Sequence, residues 1–219
     1  MQPSRVATRR PTARPAACDH GPKPPHDGSS QVTTLRDQVV EIVRRRGLLR
    51  LPVPVTLASG QTSQDFVDGK AALARGADLE TACRAVLEAV EGIVFDAVGG
   101  LTMGADHLAH GVSLLSGSEW FVVRKAPKGR GTDKVVEGAA VGVGSRVLLV
   151  DDAVTSGGSI RRAHDTIVAL GAEVVAAVTL VDRGEVAAPY FAAKGVPYAA
   201  LVTYRDLGIE PVGGHPQPA

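Results

Sequence analysis

Val147–Ser159 reads VLLVDDAVTSGGS, and the order of side-chain types in it decides the fold. Val147–Val150 is a short continuous apolar run of the kind a buried parallel strand shows. Asp151 and Asp152 follow at once, then Thr155-Ser156-Gly157-Gly158-Ser159, which opens an amphipathic segment over Ile160–Leu170. Glycines let a backbone come close to an anion, and N–H groups at a helix start meet it with the positive end of the dipole. The hydroxyls of Thr155, Ser156 and Ser159 add donors. A phosphate cradle alone gives no reason for two neighbouring carboxylates. Vicinal ribose hydroxyls do, because they donate to carboxylates, and so does a Mg²⁺ ion reached through water. An Asp-rich turn before an ordinary helix cap is the plain alternative. The full order of strand, acids, loop and helix favours a site for a phosphorylated ribose.

This string resembles the type I phosphoribosyltransferases, whose sugar-diphosphate motif is an apolar run, two acidic residues, three residues and a Thr/Ser-Gly loop. The resemblance covers roughly residues 33–210. It implies an α/β fold, a central mostly parallel sheet flanked by helices and carrying a small hood. It also implies 5-phosphoribosyl 1-diphosphate as substrate, with Mg²⁺ bound along with it rather than by direct protein ligands. Asp151 and Asp152 then hold the ribose hydroxyls, reaching the metal through water, and Thr155, Ser156, Gly157, Gly158 and Ser159 hold the 5′-phosphate.

Composition narrows the classes. A chain of 219 residues can bury one substantial α/β core. Lys+Arg 24 against Asp+Glu 23 leaves almost no net charge, so neither nucleic acid nor an anionic membrane is expected as a partner. Cys18 and Cys83 make no disulfide framework. Neither a membrane-length apolar run nor a secretory h-region is present, so the expected location is the cytoplasm.

Residues 1–32 are expected to be a disordered tail. They hold Pro3, Pro11, Pro15, Pro22, Pro24 and Pro25 with five basic residues and little to bury. The folded domain is expected over 33–210, with a C-terminal tail at 211–219. Leu35, Val39, Ile42 and Val43 predict a helix capped by Thr33 or Thr34 and ended by Gly47. Residues 48–72, with Pro52 and Pro54, predict extended segments forming the hood. Asp78 is expected to cap a helix with Leu79, Cys83, Val86, Leu87 and Val90 on its inner stripe. Strands then follow at 93–98, 120–123, 147–150, 173–181 and 198–203, with helices at 105–115, 158–170 and 187–194. Such alternation predicts a parallel sheet with ligands at the carboxyl ends of its strands.

Arg124-Lys125-Ala126-Pro127-Lys128-Gly129-Arg130-Gly131-Thr132-Asp133-Lys134, running on to Glu137-Gly138, has five cations and almost no apolar content. A mobile basic loop over 124–138 is expected. Cations on such an arm suit a leaving diphosphate, since they can close over it and exclude water. The order Arg-Lys-x-x-Lys-x-x-Gly followed by Glu-Gly resembles the catalytic loop of orotate phosphoribosyltransferases. That resemblance implies transfer of ribose 5-phosphate to orotate, as in pyrimidine nucleotide biosynthesis, by a homodimer whose loops cross into the neighbouring site. Arg124, Lys125, Lys128 and Arg130 then bind diphosphate, with Lys128, Asp151 and Asp152 as catalytic residues. A family histidine stands as Arg130 here, which keeps the charge and holds its proton.

Gly99-Gly100-Leu101-Thr102-Met103-Gly104 is expected as a turn. The resemblance assigns Gly99 and Gly100 to the diphosphate, and some members carry a lysine where Met103 stands. At the end of a strand, Arg183 matches the family arginine that meets orotate, whose paired oxygens suit a guanidinium fork. Phe66 and Thr155 complete the base side. Ala58 replaces a lysine of some members, and Asp65 replaces an aromatic residue. These departures leave two alternatives: transfer to another base, or a non-catalytic regulator that binds the sugar. His107 and His110 have metal-ligand spacing without an evident partner, and His164 is expected at the surface.

Overall fold

The protein is described by a computed structural model, which covers residues 33–57, 60–126 and 134–213. The expected N-terminal tail, Ala58, Lys128, Arg130 and residues 214–219 lie outside the described residues.

Thr34 caps α1 (Leu35–Ile42), its hydroxyl accepting from the Asp37 N–H at 3.1 Å while the Asp37 carboxylate returns to the Thr34 backbone. A π-helical turn, Val43–Gly47, continues it. β1 (Leu48–Thr56) and β2 (Thr62–Val67) form an antiparallel hairpin in the segment expected for the hood. Its register breaks between Arg50 and Val55, where Pro52 and Pro54 have no N–H to donate. Asp68 caps the short α2 (Gly69–Ala72). α3 (Gly76–Ala89) starts two residues before the expected cap; Asp78 lies inside its first turn and pairs with Arg46 at 3.0 Å instead.

The remaining strands are β3 (Ala97–Leu101), β4 (Glu119–Val123), β5 (Val136–Gly138), β6 (Arg146–Val154), β7 (Glu173–Asp182) and β8 (Tyr198–Thr203). They form one sheet in the order β5-β4-β3-β6-β7-β8, parallel throughout except for β5. The expected mostly parallel α/β sheet is present. α4 (Asp106–Ser116) packs with α1 and α3 on one face; α5 (Gly158–Ala169) and α6 (Ala187–Ala192) cover the other, and α7 (Tyr204–Leu207) follows β8. Side chains of β6 alternate between the layers. Leu148 and Val150 join Val86 and Leu108, whereas Val147 and Leu149 join Ile160 and Ile167. Among the described residues no helix is long and apolar enough to cross a membrane.

Several boundaries differ from expectation, and the strand expected at 93–98 begins only at Ala97. β6 continues to Val154, so Asp151 and Asp152 lie within the strand rather than after it, because β7 runs alongside and pairs with it to Asp182. The basic segment 124–138 is closed at its far end by β5, which pairs with β4. Gly99 and Gly100 belong to β3, not to a turn. A Cβ on Gly99 would stand 2.2 Å from the Phe121 carbonyl oxygen, and one on Gly100 would stand 2.2 Å from that of Val150. Glycine is required there by how closely the strands approach.

Gly100→Ala is therefore expected to destabilise the fold by about 3 kcal/mol, since backbone must shift. Gly76→Ala, which meets open space at a helix start, should stabilise it by about 0.5 kcal/mol. Thermal midpoints of the two variants check this; equal midpoints would contradict it.

Candidate active site

The carboxyl end of β6 presents two acids that its neighbours hold out of water. Asp151 is 3% and Asp152 8% exposed. Gly104 lies so close that a Cβ there would be 2.7 Å from Oδ1 of each acid. The Asp152 N–H donates to Asp151 Oδ1 at 3.1 Å, while Asp151 Oδ2 is buried with no hydrogen-bond partner. Lys70 Nζ donates to Asp152 Oδ2 at 2.7 Å. Burial, reinforced by the charge of Asp152, pushes the Asp151 carboxyl up to about 8, against the pull of Lys70 and Lys125. The bond to Asp152 in turn raises the Lys70 ammonium above its ordinary value.

Beyond β6 the chain turns through Thr155, Ser156 and Gly157. Gly157 has φ 74°, a left-handed conformation that costs glycine little, and α5 begins at Gly158. Ser156, Gly158 and Ser159 are exposed. Gly184 and Gly213 close on the Thr155 carbonyl from behind, where a Cβ would meet it at 1.9 and 2.3 Å.

A cavity of about 560 Å³ opens on this strand end. It joins Asp151, Asp152 and Ser159 to Arg124 and Lys125 of the basic segment, and to Lys70. The Arg162 guanidinium donates to the Lys125 carbonyl at 2.5 Å and anchors the start of that segment to α5. Arg124 faces Glu137 at 3.7 Å. Acids at one wall, cations at another and a hydroxyl beside a helix start suit a ligand that carries both hydroxyl groups and phosphates.

Other candidates lie elsewhere. Gly99 and Gly100 are buried in β3, and the cavity wall is made by the next four residues, Leu101–Gly104. Phe66 is partly exposed on β2. Arg183 is 2% exposed and off the cavity wall: it donates to the carbonyls of Asp65 at 2.8 Å and Glu210 at 3.4 Å, and its buried Nε has no partner. Burial lowers its proton affinity. Residues 211–213, expected as tail, instead pack here; the Val212 N–H donates to the Arg183 carbonyl and that of Gly213 to Gln61 Oε1. Lys128 and Arg130 lie outside the described residues.

His110 is exposed and packs edge-on against Trp120, and among the described residues no three-member group of metal-ligating side chains exists. His164 is buried rather than at the surface, because the inner face of α5 packs on Tyr190 and Phe191 of α6. Lys70 is the site residue that sequence reasoning missed. Its partner lies 82 residues away, and no spacing rule links them.

Fold and cavity together define a binder of an anionic sugar at the carboxyl ends of a doubly wound sheet. Residues 100–194 match the Phosphoribosyl transferase domain. The orotate phosphoribosyltransferase of Rhodopirellula baltica is 36% identical over 71% of this chain and 86% of its own. That of Mycobacterium tuberculosis is 34% identical over 80% of this chain and 97% of its own. The crystal structure of the latter enzyme in complex with 5-phospho-alpha-D-ribosyl 1-diphosphate superposes with a TM-score of 0.67 at 34% identity, covering 80% of this chain and 100% of that one. The chain belongs to the orotate phosphoribosyltransferase family.

Asp151 gives a pH signature. The folded protein holds its proton up to about 8, well above the ordinary carboxylate value of 3.8. Folding thus becomes progressively less favourable as pH rises between those values, and above them the full loss remains without growing further. Asp151→Asn removes that loss. The thermal midpoint of the variant should gain on that of the native protein from pH 5 to about pH 8 and keep a constant lead above it. Parallel midpoint curves across this range would contradict the assignment.

Proposed function

We propose that the protein transfers ribose 5-phosphate from 5-phosphoribosyl 1-diphosphate to orotate, giving orotidine 5′-phosphate and diphosphate in pyrimidine nucleotide biosynthesis. The observation that carries this reading is the meeting of Asp151, Asp152 and Ser159 with Arg124 and Lys125 in one cavity. Asp151 and Asp152 accept from the ribose hydroxyls and favour the positive ring that develops as the anomeric bond breaks. Thr155–Ser159 hold the 5′-phosphate at the start of α5. Arg124, Lys125, Lys128 and Arg130 bind the diphosphate as its charge grows. The electron pair of the broken bond leaves with diphosphate, and the ring nitrogen of orotate bonds to the anomeric carbon as its own proton passes to water.

The donor set fits Mg²⁺ carried by the substrate: hard carboxylate oxygens, one of them buried without a hydrogen-bond partner. Asp151 and Asp152 would hold the ion through water, and it would supply charge neutralisation at the diphosphate. The protein is read as a cytoplasmic homodimer in which Lys128 serves the partner's site. A second reading, transfer to another base, is favoured by Arg183, whose guanidinium is engaged by backbone carbonyls rather than open to the cavity.

Diphosphate release with Mg²⁺, the sugar diphosphate and a panel of bases separates these readings. Orotate should be consumed fastest. Preference for another base would favour the second reading, and binding without turnover would favour a regulator. Lys128→Ala is expected to lower kcat on the order of 10²-fold while sugar binding changes little. Mixing that variant with Asp152→Ala should recover activity if the loop crosses between subunits. An unchanged kcat would remove Lys128 from the mechanism.

A further inference from the structure

Lys70 stands on the cavity wall outside every motif legible in the sequence. It is carried by α2, which Asp68 fixes by accepting from the Ala71 N–H at 3.0 Å. Gly69 seats that helix against the acid pair; a Cβ there would lie 2.9 Å from the Asp152 Cβ. A short anchored helix thus delivers a flexible side chain, 54% exposed, whose ammonium rests on Asp152 Oδ2. On the Leu101–Gly104 rim the exposed residue is Met103, which brings no charge. Arg124 is engaged with Glu137 and with the Ala126 carbonyl.

The bond between Lys70 and Asp152 competes with the substrate. A ribose hydroxyl that takes Asp152 Oδ2 as its acceptor displaces the ammonium, which engages that oxygen alone. The diphosphate, attached at the anomeric carbon of the same ring, lies in the same cavity, within the sweep of a four-carbon stem. We propose that Lys70 is a further catalytic residue, which neutralises Asp152 before the sugar binds, yields that carboxylate to the ribose hydroxyls, and turns its ammonium onto the diphosphate. The proposal rests on the phosphoribosyl-transfer reading. Lys70 keeps its proton throughout. The bond electrons go to a diphosphate oxygen, the base nitrogen forms the new bond to carbon and its proton goes to water, so Lys70 contributes charge and not acid catalysis.

Lys70→Met and Lys70→Arg, compared with the native protein, test this by turnover and by calorimetric binding of Mg²⁺-diphosphate and of ribose 5-phosphate. Lys70→Met should lower kcat on the order of 10²-fold and weaken diphosphate binding about tenfold. It should leave ribose 5-phosphate binding equal or tighter, because no ion pair has to be broken first. Lys70→Arg should restore part of both losses. A merely structural role would weaken the two ligands alike, and that result, or a kcat within about two-fold of native, overturns the proposal. A native protein inactive with every base would sink the transfer reading itself, while the two binding measurements would still decide whether Lys70 exchanges Asp152 for diphosphate.

Discussion

One constraint governs the site: two carboxylates share the end of a buried strand with too little positive charge to settle them both. Lys70 satisfies Asp152 at 2.7 Å, while Asp151 keeps one oxygen buried and unbonded. Burial and the adjacent charge then hold a proton on Asp151 that an exposed carboxyl would lose. Such an arrangement opposes the stability of the free protein and is relieved by a ligand that brings hydrogen-bond donors and positive charge. The surrounding fold keeps it in place. β7 extends the ladder beneath the acids to Asp182, and Gly104 and Gly69 leave room for backbone where any side chain would displace a carboxylate.

Much of this was legible in residue order. The apolar run, the acids and the glycine-hydroxyl loop specify strand, site and helix start because each type has a local physical preference there. Arg124 and Lys125 stood out because five cations without apolar neighbours have nothing to bury. What escaped depended on distant contacts. Gly99 and Gly100 read as a turn, and only the carbonyls of Phe121 and Val150 beside them show why they are glycines of a strand. Asp78 looked like a cap because Arg46, which takes its carboxylate, belongs to another element. His164 is polar by type and buried by the packing of α6.

The base side shows the same limit. Arg183 stood out in the sequence as a base-binding candidate at a strand end, whereas its described partners are the carbonyls of Asp65 in β2 and Glu210 near the chain end. It ties hood, sheet and C-terminal segment together around the Thr155 turn, where Gly184 and Gly213 make contact. The β1–β2 hairpin, the Thr155 turn and the C-terminal segment are thereby joined through Arg183 and its neighbours.

The most direct measurement is proton release on binding Mg²⁺-saturated 5-phosphoribosyl 1-diphosphate, taken near neutral pH by calorimetry in buffers of differing ionisation enthalpy. If the ligand converts Asp151 from buried acid to carboxylate, the native protein should release about one proton more than Asp151→Asn does. Equal release by the two proteins would contradict the role given to the acid pair.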